Sequence, residues 1–190
     1  MDKAKIFVKD IRISFNFKIR LKEEGIFPAI AVGINDIAGT GLYSSEYIVG
    51  SYGINKTDFH FGIGFGLLDG SDQRFKNPFS YLSDNFNDRP KLAANIGGDF
   101  QLSRYFSGET ASPFFGVSHA LHKKLMFKAE YDSSVRPGLV PFRIPENDFS
   151  FGIDYLITDN FSIGVFYERG DYASFKFVYK NDPVKTFQKN

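Results

Sequence analysis

Cysteine and tryptophan are both missing from the 190 residues. Without cysteine the chain has no disulfide, no thiolate nucleophile and no cysteine metal site, though its compartment stays open. A surplus of either charge is also missing. The formal net charge of +1 leaves no basic surface for nucleic acid and no acidic tail. No run of 18 apolar residues occurs, which excludes a membrane-crossing helix. The first ten residues, MDKAKIFVKD, carry charges throughout and lack the apolar stretch of a signal peptide. The chain is therefore cytoplasmic, or its export signal lies upstream. Catalytic motifs are wanting as well. There is no serine nucleophile elbow and no phosphate loop. Gly64 to Gly70 has the spacing GxGxxxG with no helix after it, so it reads as a strand end. His119 and His122 stand three apart at a strand end and do not share a face, which argues against a metal. The expectation is a protein that is not an enzyme and has no cofactor and no metal.

What is abundant is aromatic residues and glycine: 23 Phe, 10 Tyr and 18 Gly, a balance that favours strands. The organising stretch is 27–53, FPAIAVGINDIAGTGLYSSEYIVGSYG. Its two apolar runs, 28–35 and 45–53, are broken by Gly33 and Gly50 and rich in Val and Ile, so they read as strands. Residues 11–21, IRISFNFKIRL, alternate apolar and polar without a break, long enough to cross a bilayer when tilted. In 59–67, Phe59, Phe61, Ile63, Phe65 and Leu67 oppose His60, Gly62, Gly64 and Gly66. Further strands are read at 113–121, 125–131, 149–157, 161–168 and 172–180. Residues 68–112 read as a long loop with a short strand near 96–103, and 133–147, with three prolines, as a second long loop.

The segment PAIAVGINDIAGTGLYSSEYIVGS resembles the signature of the YjbH (YbjH) family, outer-membrane proteins linked to exopolysaccharide and capsule production. The likeness continues through GIGFG, Asn77-Pro78-Phe79, FFGVSHAL and LMFKAEYD to YERGDYASFKFVYKND, covering about residues 10–182. Members of that family are much longer. The resemblance therefore implies a segment of a larger Gram-negative outer-membrane protein, partnered by lipid, polysaccharide and other export proteins.

Alternation alone fits a membrane barrel or a soluble one. Two features favour the membrane. Connections alternate short and long, as at the two ends of outer-membrane barrels. The non-apolar face is rich in glycine, which weakens a strand exposed to water but makes room in a narrow lumen. The expected fold is all-β: one antiparallel up-and-down transmembrane β-barrel or partial barrel of about nine to ten strands over 1–190, with 1–9 and 183–190 as poorly ordered flanks. Nine is an odd count, so either a strand outside this sequence or a displaced partial strand at 5–9 completes the pairing.

The turn holding Asp36, Gly39, Thr40, Gly41, Ser45 and Glu46 is the best site candidate. Its carboxylates and hydroxyls suit sugar hydroxyls or a partner, but the favoured reading is structural, with Asp36 holding the turn through backbone N–H groups. On the non-apolar face, His60, Lys128, Glu130, Asp132, Asp154, Glu168, Lys176 and Lys180 either line a hydrated channel or pair into a plug. The expected function is a non-catalytic component of exopolysaccharide or capsule production or export in the outer membrane. A passive porin and a soluble β-barrel carrier of an apolar ligand are the alternatives.

Overall fold

A computed structural model describes residues 15–37, 43–70, 74–90, 101–134 and 145–180, and among these it has ten strands and three short 3-10 turns. The strands are β1 (Phe15–Lys22), β2 (Ala29–Ile37), β3 (Ser45–Ile54), β4 (Thr57–Gly66), β5 (Phe75–Lys76), β6 (Thr110–His122), β7 (Leu125–Asp132), β8 (Phe149–Thr158), β9 (Phe161–Glu168) and β10 (Tyr172–Tyr179). Nine long strands pair in sequence order, every pair antiparallel, and β5 adds two residues beside β6. This is the up-and-down order that period-two alternation and short connections predict. Among the described residues β1 and β10 pair with no further strand, so the sheet is not closed.

The two ends of the sheet differ. At one end β3–β4, β6–β7 and β8–β9 are joined by two residues each, and β1–β2 by residues 23–28. Asn55, in the β3–β4 turn, takes φ 56, a left-handed conformation that asparagine tolerates. At the other end lie the connections 38–44, 67–109 and 133–148, with the tight turn 169–171.

The faces differ as well. Register carries an apolar surface across the sheet: Phe61, Phe115, Tyr131 and Phe149 are successive partners on β4, β6, β7 and β8. Phe115 stacks on Tyr131 at 5.0 Å between ring centroids. Phe127, Ile153, Val165 and Phe175 form another such row on β7 to β10. This surface is bare. Phe175, Phe177 and Tyr179 are 71%, 72% and 71% exposed. The opposite face carries the glycines, serines and charges. Three of its glycines sit beneath an aromatic ring from the strand alongside. A Cβ on Gly33, Gly62 or Gly152 would stand 2.2, 2.2 or 2.0 Å from its register partner, Tyr47, Phe114 or Phe166. Only the absence of a side chain there leaves room for these rings over the strand.

The structure departs from the sequence-based expectation at three places. Phe65 does not join the bare stripe of Phe59 and Phe61; it is fully buried against Phe79 and Phe106, at 5.7 and 5.5 Å between centroids. The segment 68–112 is no plain loop: β5 and turns at Pro78–Tyr81, Asp84–Phe86 and Leu102–Arg104 fold it back onto the end of β3 and β4. Of the expected strand at 96–103, residues 96–100 lie outside the described residues and 102–103 belong to a 3-10 turn. The parts of the chain called flanks, 1–9 and 183–190, and residues 11–14 of the first expected strand also lie outside the described residues.

Candidate functional site

Two groups of polar residues stand out, one under the long insertion and one on the glycine-rich face. Glu46 begins the first. It pairs with Phe65 in register and shares its face, so the insertion that covers one covers the other. Arg89 meets the fully buried Glu46 carboxylate with both terminal nitrogens, Nη1 to Oε2 at 2.7 Å and Nη2 to Oε1 at 2.8 Å. Such a two-pronged fit is the strong geometry for this pair. Phe106 N–H donates to Oε2 at 3.0 Å, and Arg89 Nη2 donates to Ser44 Oγ at 2.9 Å. Arg104 donates to the Pro90 carbonyl and to Ser44 Oγ. Burial, and then the neighbouring Arg89 charge, lowers the Arg104 pKa from its ordinary value.

Asn77 organises the rest of the insertion. It caps the turn that Pro78 opens, accepting from Phe79 N–H at 2.9 Å. Its Nδ2 donates to the carbonyls of Phe106 and Gly108, both at 2.9 Å, and of Phe86 at 3.3 Å. At the same end of the sheet, Arg169 adopts φ 51 in the tight turn after β9, and its guanidinium donates to Asp148 Oδ1 at 3.1 Å and to the Ser134 carbonyl. Sequence reasoning missed Arg89, Arg104 and Arg169. It had Asn77-Pro78 only as part of a resemblance, although Asn before Pro is itself a turn-start signal.

Of the expected turn site, Gly39, Thr40 and Gly41 lie outside the described residues. Asp36 is buried with φ 58. Its backbone N–H donates to Asn16 Oδ1 at 3.1 Å, and its Oδ2 accepts from Tyr43 N–H at 3.0 Å across the turn. Ser45 accepts from Asn35 Nδ2 at 3.0 Å. Glu46 and Ser45 are both buried, so neither offers a surface to a sugar in this arrangement.

The second group gathers Lys128, Glu130, Asp154, Glu168 and Lys176, all on the glycine-rich face as their alternation predicts. Asp154 is held between two lysines, Lys128 Nζ at 2.8 Å from Oδ2 and Lys176 Nζ at 2.8 Å from Oδ1. Lys176 Nζ also lies 4.9 Å from the Phe166 ring centroid. Ser174 Oγ donates to Glu168 at 2.6 Å. Lys128, Glu130, Glu168 and Lys176 line a cavity of about 450 Å³ with Ser150 and Ser174. A second cavity, about 370 Å³, is lined by Asn35, Tyr47, His60, Phe114 and, again, Glu130. His60 is positioned by Ser51, Nδ1 to Oγ 2.8 Å. His119 lies instead against Thr57, 2.8 Å between Nδ1 and Oγ1, and no group of three metal-ligating side chains forms among the described residues.

Fold and site together define an antiparallel up-and-down β-sheet protein with a bare apolar face and a charged, cavity-bearing face. The chain belongs to the YjbH family, described as exopolysaccharide biosynthesis protein YbjH, whose profile matches residues 8–189. A relative from Escherichia coli (strain K12), named an uncharacterized lipoprotein YjbH, is 35% identical over 164 residues. That alignment covers 83% of this chain and 23% of the relative, so the chain spans about a quarter of that protein's length. No solved structure matches the chain.

Proposed function

We propose that the chain is a membrane-spanning β-barrel section that serves exopolysaccharide production or export in a bacterial outer membrane and carries out no catalysis itself. One observation carries the membrane part: the face that a water-soluble barrel hides is the exposed one. Phe149, Phe151, Ile153, Tyr155 and Ile157 alternate along β8 and are all exposed, while among the described residues the buried polar ones outnumber the buried apolar ones, Val49, Phe65, Tyr105 and Ala111. Exposed aromatic stripes of that extent are costly in water and suit lipid. The same inversion speaks against a carrier that holds an apolar ligand inside. In lipid the open edges at β1 and β10 call for strands beside them, because each unpaired backbone group costs several kcal/mol. The polysaccharide role rests on the family's description.

Spin labels at 153, 165 and 177 in reconstituted protein are expected to report lipid, and labels at 130 and 154 water. Labels at 153 and 165 reporting water or a protein core would end the membrane reading. Ile153→Arg is expected to cost about 2–4 kcal/mol if the residue sits near the bilayer midplane. Deleting the parent protein in cells is expected to lower secreted or surface polysaccharide and leave small-solute uptake unchanged. The reverse result favours a passive porin.

A further inference from the structure

One row of residues crosses six of the nine long strands on the charged face of the sheet. Ser51, His60, Gly116, Glu130, Ser150 and Glu168 are successive register partners on β3, β4, β6, β7, β8 and β9. At the ordinary spacing of neighbouring strands, five intervals make a polar line about 24 Å long. The two cavities on this face meet on that line, because Glu130 lines both. Glu130 is exposed and belongs to no ion pair among the described residues. Gly116 leaves a gap between its neighbours: a Cβ there would lie 3.6 Å from Glu130 Cγ and 3.9 Å from His60 Cδ2, touching both without clash. Beside the gap, Phe114 and Tyr47 cover Gly62 and Gly33, meet edge to face at 6.3 Å between ring centroids, and line the second cavity.

We propose that this row is a binding track for an extended, uncharged saccharide chain. The inference rests on the polysaccharide role proposed above and adds the class of saccharide and the residues that meet it. A pyranose presents hydroxyls at its rim and C–H bonds on its faces. Hydroxyl and imidazole groups, which donate and accept, and carboxylates, which accept, suit the rim, and aromatic rings suit the faces. Charge decides between neutral and acidic chains. The row holds two carboxylates and no lysine or arginine. The two lysines that line the same cavity, Lys128 and Lys176, are both already turned to Asp154. A uronate carboxylate would face the exposed carboxylate of Glu130, which has no ion-pair partner among the described residues.

The test uses the folded full chain in detergent micelles, with cellohexaose and isomaltohexaose as neutral probes and hexagalacturonate as the acidic one. At least one neutral hexamer is expected to bind more tightly than the uronate. Gly116→Leu fills the gap and is expected to weaken that binding about tenfold or more, while Gly116→Ala, which fits the gap, changes it less than about threefold. Glu130→Lys is expected to reverse the preference toward hexagalacturonate. Folding of each variant is read separately by heat-modifiable gel mobility. The inference is overturned if neither neutral hexamer binds, if the uronate binds the parent chain more tightly, or if folded Gly116→Leu binds like the parent. Lipid-facing labels and lost polysaccharide on deletion, found together with any of those results, would leave the broader function standing and remove only the track.

Discussion

Glu46 and Asp154 are both carboxylates on strands of the same sheet, and both meet cations at 2.7–2.8 Å. Their surroundings separate them. Glu46 is fully enclosed, and backbone and side-chain donors from the insertion complete its partners. Asp154 keeps 15% of its side chain exposed, and its lysines keep 30% and 40%. Distance therefore says little about what an ion pair does. Under the insertion, the pair joins segments 43 residues apart and excludes water, so losing one partner strands the other. On the cavity face, water and the second lysine are at hand to compensate. The first arrangement fixes architecture; the second leaves charged groups where a solute can reach them.

The largest expected effect breaks the enclosed side of that comparison. Arg89→Ala leaves the buried Glu46 carboxylate without its paired guanidinium and is expected to cost about 3–5 kcal/mol, read by denaturant unfolding. Protease cutting within 77–109 is expected to appear well before the strands unfold. Cutting no faster than in the parent would mean that the aromatic cluster of Phe65, Phe79, Phe86 and Phe106 holds the insertion without the pair. Next in size is Asn77→Ala, expected to cost about 2–3 kcal/mol, because three carbonyls and the Phe79 N–H lose their partner in a buried place. Asn77→Asp sharpens the point. It keeps the acceptor for Phe79 but sets a carboxylate against three carbonyl oxygens, so it is expected to be worse than alanine. An aspartate variant as stable as the parent would show that the acceptor alone matters.

This contrast also marks how far the chain could be read without its structure. The strands and their faces were legible, since Phe59 and Phe61 or Lys128 and Glu130 declare their side through a period of two, and two-residue turns leave the register little freedom. Phe65 obeys the same period yet is buried, because its surroundings are set by an insertion that returns from more than ten residues away. The pairing of Glu46 with Arg89 left no local trace for the same reason: nothing near Arg89 in sequence depends on what it touches. Asp36 was legible as a residue placed to accept backbone N–H groups, and Tyr43 N–H donates to it. The Lys128–Asp154–Lys176 group was legible only as a shared face. Its mutual distances come from the register of β7, β8, β9 and β10, which parity alone does not give.

The smallest expected effect tests the open side. Asp154→Asn removes the charge between Lys128 and Lys176 and keeps the shape and one acceptor oxygen. Because all three side chains reach water, the cost is expected to be about 0–1 kcal/mol. Ionic strength separates this case from the enclosed one. Raising salt from about 0.01 M to 1 M shortens the Debye length from about 30 Å to 3 Å. The difference between Asp154→Asn and the parent is expected to shrink across that range, since counterions can take over the work of the missing carboxylate. The cost of Arg89→Ala is expected to stay nearly constant, because no ion reaches Glu46 while the insertion is in place. A large, salt-independent loss for Asp154→Asn would mean that the cavity face is closed and dry. The lysines and their carboxylate would then belong to the same class as Glu46, a fastening across strands, and Glu130 and His60 would have no open trough in which to meet a solute.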